Sequence, residues 1–296
     1  MVVTPTPVVQ VKDLDVIYQG RGRTAPAATF ALRGVTLDIS ERETVGLVGE
    51  SGAGKTTFGR VLLGLVAPTS GEARLRGQPI TGRGAARRLR GRLQVVPQNP
   101  DWSLNPHLRV WRSVAEPLAL AGVGRRARRS GAEAMLERVG LGISLSRRLP
   151  HQLSGGQRQR VAIARAVVSH PDLIVFDEAV TALDASVQTQ VLNLIRDLQH
   201  ERGFASLFIS HDLAAVRYVS HRIAVIYDGE LIETGPVERF YGEPLEPYSR
   251  QLVSARTDGS GSTGVGSGLS AGSQALSADE SSAPPSPASG REGGPQ

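Results

Sequence analysis

The stretch Gly49-Glu50-Ser51-Gly52-Ala53-Gly54-Lys55-Thr56-Thr57 constrains this chain more than any other. It follows Val45–Val48, an apolar run of the length of a buried strand. The spelling G-x-x-x-x-G-K-[ST] is that of a phosphate-cradling loop between a strand and a helix. Its glycines let the backbone curl so that successive N–H groups converge on phosphate oxygens. The helix that follows adds the positive end of its dipole. Lys55 can reach the β- and γ-phosphates, and the Thr56 hydroxyl suits Mg²⁺. Gly49 through Thr57 are therefore candidate nucleotide-binding residues.

Such a loop belongs to a sheet covered on both faces, whose strands read as short apolar runs without alternation. Four more runs fit: Leu93–Val96, Leu173–Phe176, Ser206–Ile209 and Ile223–Ile226. They predict an α/β fold with a mostly parallel sheet core. Val187, Val191, Leu194, Ile195 and Leu198 recur at helical spacing and form a core-packing stripe. The alternating pattern defines one domain over residues 8–256. Within it the Arg-rich stretch from Gln98 to Pro150 predicts an inserted helical subdomain, extending over about 98–170. Residues 257–296 are Gly, Ser, Ala and Pro with almost no large apolar side chains, which predicts a disordered tail.

Composition closes other routes. With 40% hydrophobic residues in 296, the chain can bury a sizeable core. It has no cysteine, so disulfides, Cys-bound zinc and Cys-bound iron–sulfur clusters are excluded, which fits a reducing cytosol. No run approaches the roughly 18 apolar residues of a membrane helix. Met1–Gln10 lacks the basic and apolar regions of a signal peptide. A role at a membrane would thus draw its spanning helices from another chain. The net charge of +6 is carried almost wholly by arginine. Lys12 and Lys55 are the only lysines, which makes the placement of Lys55 more informative. Arginines cluster at 87, 88, 90 and 92 and at 125, 126, 128 and 129, read as solvated helix faces. No aromatic stripe interleaves with them, so no nucleic acid is expected as a partner.

Two strand ends carry the chemistry. Leu173-Ile174-Val175-Phe176 runs into Asp177-Glu178. Asp177 is placed to hold Mg²⁺, usually through water. Glu178, one residue on, can orient or deprotonate an attacking water. Ser206–Ile209 runs into Ser210-His211-Asp212, and His211 is a candidate sensor of the γ-phosphate.

Between these parts stands Leu153-Ser154-Gly155-Gly156-Gln157. Ser154 and Gly155 open a helix to about Ser169, whose N-terminus makes a second anion site. Here the sequence resembles the ATP-binding cassette (ABC) ATPases, whose signature is LSGGQ, over about Val8 to Ala255. The resemblance implies a P-loop NTPase ABC-type nucleotide-binding domain with an antiparallel β edge and an inserted helical subdomain. It implies a head-to-tail dimer in which the loop at Lys55 and the partner's Ser154, Gly155, Gly156 and Gln157 enclose one ATP. Tyr18 resembles the aromatic that stacks on adenine. Gln98 resembles the glutamine that links Mg²⁺ to the membrane partner, and Ala182-Leu183-Asp184 the loop that crosses the dimer interface. The resemblance makes Glu178, His211 and Gln98 the catalytic set, and Thr56, Gln98 and Asp177 the Mg²⁺ set.

Ser103-Leu104-Asn105-Pro106, Ala115-Glu116-Pro117-Leu118, Ala182–Gln188 and Pro247-Tyr248-Ser249-Arg250-Gln251-Leu252 resemble the oligopeptide/dipeptide/nickel importer ATPases, and the second ATPase of their pairs. That implies a second ATPase subunit, a heterodimer partner. It also implies two membrane permease subunits, an extracytoplasmic binding protein and a place at the cytoplasmic face of the cell membrane. Nickel uptake, the carbon–phosphorus lyase system, export and soluble ABC ATPases are the competing roles. Two departures stand out. Ala179 replaces the usual Pro after the glutamate, and the chain lacks the cysteines that bind a C-terminal cluster in many of these ATPases.

Overall fold

The computed structural model describes residues 7–19 and 28–259. The tail expected to be disordered lies, from residue 260 on, outside them. The chain begins with two long strands, β1 (Pro7–Tyr18) and β2 (Thr29–Ser40), paired antiparallel. With β4 (Ser70–Leu75) and β5 (Gln78–Pro79) they make a four-stranded sheet in the order β2-β1-β4-β5.

The second sheet has six strands. They are β3 (Thr44–Val48), β6 (Leu93–Val96), β7 (Leu173–Asp177), β8 (Ala205–Ile209), β9 (Arg222–Tyr227) and β10 (Glu230–Pro236). The order is β10-β9-β3-β8-β7-β6, parallel throughout except where β10 pairs antiparallel with β9. All five apolar runs predicted as strands lie in this sheet.

Helix α1 (Lys55–Leu62) follows β3, and α2 (Ala85–Arg88) is a single turn. Helices α3 (Val110–Leu120), α4 (Arg125–Arg138), α5 (Ile143–Ser146) and α6 (Gly155–Val167) all lie between β6 and β7. Then come α7 (Ala185–Arg202), α8 (Leu213–Val219), α9 (Val237–Gly242) and α10 (Pro247–Gly259). Among the described residues no helix is long and apolar enough to cross a membrane.

Side chains alternate across a strand, and that alternation divides the core in two. Leu173 and Val175 of β7 face α1 and the four-stranded sheet, packing with Phe58, Leu14 and Leu32. Ile174 and Phe176 face the other way, into Leu136, Ile163 and Leu198 of α4, α6 and α7. Phe176 and Phe208 pack tilted, with ring centroids 6.0 Å apart, between neighbouring strands. The stripe on α7 behaves as core: Val191, Leu194, Ile195 and Leu198 are buried and Val187 is partly so.

The Arg-rich segments differ from one another. The cluster at 125–129 lies on α4, where Arg129 stacks over Trp111. In the earlier cluster only Arg87 and Arg88 are helical, and Arg92 departs from a solvated face. Its Nε is 2.5 Å from Asp172, which also binds Arg76. A carboxylate 15% exposed sets this geometry by ion pairing, which composition does not display.

Candidate active site

The carboxyl ends of parallel strands converge here, as ligand sites do in open α/β sheets. The chain leaves β3 at Val48, turns through Gly49–Gly54 and enters α1 at Lys55. Gly54 sits at φ 106°, and a Cβ there would stand 2.5 Å from the Ala31 carbonyl oxygen of β2. Only glycine meets both conditions. Lys55 is buried, and its Nζ donates to the carbonyl oxygens of Gly49 at 2.8 Å and Glu50 at 2.6 Å. Burial lowers its pKa, opposed by the negative field of Glu178, Asp177 and Glu50. A cavity of about 440 Å³ opens beside it, lined by Ser51, Gly52, Gly54, Lys55, Thr56 and Thr57 with Ala31, Glu178 and His211.

Strands β7 and β8 end side by side, with Asp177 opposite Ile209. The Glu178 N–H donates to the Ile209 carbonyl oxygen at 2.9 Å, which holds Glu178 at φ 50°. A left-handed conformation at a non-glycine residue stores strain and is common at active sites. Its carboxylate is held on two sides. Gln98 Nε2 donates to one oxygen at 3.1 Å, and His211 Nδ1 lies 3.4 Å from the other. The Gln98 amide is also 3.4 Å from the Thr181 hydroxyl, which donates to the Glu178 carbonyl oxygen at 2.9 Å. Thr181 was not anticipated, because nothing in its sequence position announces that contact.

Asp177 has a raised pKa. Burial is the main cause and the neighbouring Glu178 charge the second, with Arg60 and Lys55 opposing. A carboxylate penalised in this way gains from a bound cation. The Thr56 hydroxyl, the Asp177 carboxylate and the Gln98 amide oxygen supply hard oxygen donors. Among the described residues no group of three or more acidic, His or Cys side chains gathers as a cage. Oxygen donors of this kind fit Mg²⁺, which is ordinarily bound through one or two carboxylates with water and substrate phosphates.

The remaining expected site residues stand apart from the Lys55 cavity. Ser154 caps α6: its Oγ accepts from Gln157 N at 3.3 Å, and Gln157 Oε1 accepts from Ser154 N at 3.0 Å. A Cβ on Gly155 would meet open space, whereas one on Gly156 would stand 2.6 Å from Val187 Cγ1 of α7. Gly156 is thus needed for helix packing within the chain. Tyr18 ends β1 opposite Thr29, 44% exposed, two residues along β2 from the cavity-lining Ala31. Asp184 caps α7, accepting from Val187 N at 2.9 Å. Ala179 is buried, so the missing proline leaves a packed position. The inter-element bond from Gln188 Nε2 to Asp212 at 2.7 Å was also unforeseen, since it joins residues 24 apart.

The family model described as ABC transporter matches residues 32–181, from β2 through the Glu178 turn. The chain belongs to the ABC transporter ATPase family. This ABC ATPase is 49% identical over 247 residues to a Brucella abortus protein named for ATP binding in peptide import, covering 82% of this chain and 73% of that one. A similarly named Brucella ovis protein is 45% identical over 255 residues, covering 85% and 79%. Among solved structures, a dimeric ATP-binding cassette in a post-hydrolysis state with ADP and Pi aligns with TM-score 0.69 at 30% identity, covering 77% of this chain and 98% of that one. The cbiO1 protein of Clostridium perfringens, part of an ABC transporter complex, aligns with TM-score 0.71 at 26% identity, covering 85% and 97%. The chain is an ABC ATPase in fold and in activity, hydrolysing ATP.

Proposed function

We propose that this ABC ATPase energises import of oligopeptides or dipeptides. It works at the cytoplasmic face of the cell membrane, under two permease subunits served by an extracytoplasmic binding protein. A second, non-identical ABC ATPase subunit completes its sites. The names of relatives at 45% and 49% identity support the cargo class, and the spellings around Asn105, Glu116 and Tyr248 support the branch.

The observation that carries the reading is the Glu178 carboxylate, held by Gln98 and His211 at the wall of the Lys55 cavity. The loop from Gly49 to Thr57 cradles the phosphates, and Lys55 exchanges its carbonyl partners for β- and γ-phosphate oxygens. Tyr18 stacks on adenine. The corresponding signature segment of the non-identical partner closes on the γ-phosphate, and Ser154, Gly155, Gly156 and Gln157 of this chain close on the partner's nucleotide, since they lie outside the cavity of their own chain. Glu178 accepts a proton as water attacks the γ-phosphorus, and the bond to the β-phosphate oxygen breaks. His211 and Gln98 orient that water toward the γ-phosphate, and ADP departs with the electron pair of the broken bond. Thr56, Asp177 and Gln98 would hold Mg²⁺, which would supply charge neutralisation to the phosphate oxygens.

Uptake of a radiolabelled oligopeptide by cells lacking this chain tests the cargo. Wild-type chain is expected to restore uptake, and Glu178→Gln to leave it at background. Equal uptake with and without the chain would remove peptide import from its role.

A further inference from the structure

The segment after β10 is not part of the 32–181 family match, yet it reaches the phosphate loop. The Tyr248 hydroxyl of α10 accepts the Glu50 N–H at 3.0 Å, across 198 residues of sequence. Glu50 is the second residue of the loop, and its carbonyl oxygen holds Lys55 Nζ. One peptide unit at each side of Glu50 is thus bonded, to Tyr248 and to Lys55.

The tyrosine is itself held firmly. Its ring packs on Tyr227, centroids 4.6 Å apart, and Tyr227 ends β9 just before the turn whose Gly229 N–H donates to Ala53 O at 3.1 Å. The entry to α10 is anchored from below. The buried Glu233 carboxylate of β10 accepts the N–H groups of Leu245 at 3.0 Å and Glu246 at 3.2 Å. One turn along, Leu252 lines a cavity of about 630 Å³ together with Gly49, Glu50, Ser51 and His211. Glu233, Tyr248 and Glu50 form a continuous support from the second sheet to the loop.

We propose that Tyr248 is a positioning residue for ATP binding: its hydroxyl fixes the first half of the phosphate loop in the nucleotide-ready shape, so that α10 sets ATP affinity from within the chain. The inference rests on the reading that this loop binds ATP. Its physical basis is preorganisation. The loop's glycines give it many conformations, and affinity falls in proportion to the competent fraction. A tie at Glu50 removes alternatives before ATP arrives. It touches no reacting atom, so it acts on binding and not on the chemical step.

Tyr248→Phe in the full-length chain removes the hydroxyl and keeps the ring on Tyr227. We expect the Kd for Mg-ATP to rise about two- to tenfold, the range of one net hydrogen bond. The kcat at saturating ATP should stay near wild type, with an unchanged melting temperature. An unchanged Kd overturns the proposal. So does a parallel loss of Kd, kcat and melting temperature, which marks ordinary packing. Lys55→Ala separates the two layers. If it abolishes ATP binding while Tyr248→Phe behaves as wild type, only the role of Tyr248 falls. If Lys55→Ala binds ATP normally, the loop reading beneath it falls instead.

Discussion

Gln98 Nε2 and Glu178 Oε2 lie 3.1 Å apart, joining residues 80 positions apart at the ends of neighbouring strands β6 and β7. With His211 on the opposite oxygen, the bond fixes where the carboxylate can accept a proton. Glu178→Gln keeps the shape and removes the base. It is expected to bind Mg-ATP normally and to lower turnover by about 100-fold or more. Phosphate release in steady state checks this, and normal turnover removes Glu178 from its role. Gln98→Ala leaves the base but frees one oxygen, and kcat should drop about ten- to a hundredfold, the scale of one oriented hydrogen bond to a charged group.

Asp177 makes a prediction about pH. Its raised pKa means that the folded chain keeps a proton that the unfolded chain has already lost. Folding stability therefore falls as pH rises from the ordinary carboxylate value through the folded one, and the cost persists at neutral pH. Asp177→Asn removes that cost. Without nucleotide or metal at pH 7 it should melt higher than wild type, by about 2–4 °C for each kcal/mol relieved in a domain of this size. On acidification through the carboxylate range the gain should vanish, while Mg²⁺-dependent ATPase activity is lost throughout. Thermal melts at pH 7 and below pH 4 decide the matter, and a gain independent of pH contradicts it.

What the sequence made legible was local. The run Val45–Val48 and the glycines after it fall on one strand–loop–helix unit, and the other four apolar runs became β6–β9 because short buried strands carry their own signal. Ser154 announced a helix start by its local capping chemistry. The rest depends on contacts between distant parts. Thr181 meets Gln98, Gln188 meets Asp212, and Tyr248 meets Glu50 only once the sheet order is set. The conformation of Glu178 was equally hidden, since a left-handed glutamate is imposed by the bond to Ile209. Gly156 was read solely as part of an anion site, although its lack of a side chain also serves the α6–α7 contact.

Ser154 has two separable jobs. Within the chain it caps α6, and Ser154→Ala should cost about 0.5–2 kcal/mol in urea unfolding. Replacing it with Asp restores a capping oxygen but brings a negative charge to the surface proposed to meet the γ-phosphate. Ser154→Asp should therefore recover most of the lost stability and remain deficient in ATPase activity. Recovery of both together would reduce Ser154 to a cap.

Gly155 and Gly156 are adjacent, yet only substitution of Gly156 should cost stability. The Gly155→Ala methyl projects into open space and should leave unfolding almost unchanged, acting if at all on the partner's nucleotide. The Gly156→Ala methyl would lie 2.6 Å from Val187 Cγ1, so the Val187 side chain must leave its rotamer or one of the two helices must shift. Overpacking of this kind costs about 1–3 kcal/mol. Val187→Ala removes the opposing methyls, and the double variant Gly156→Ala/Val187→Ala should be less destabilised than the sum of the singles. Urea unfolding of the four proteins gives the coupling energy directly. A coupling near zero would show that Gly156 does not owe its identity to Val187.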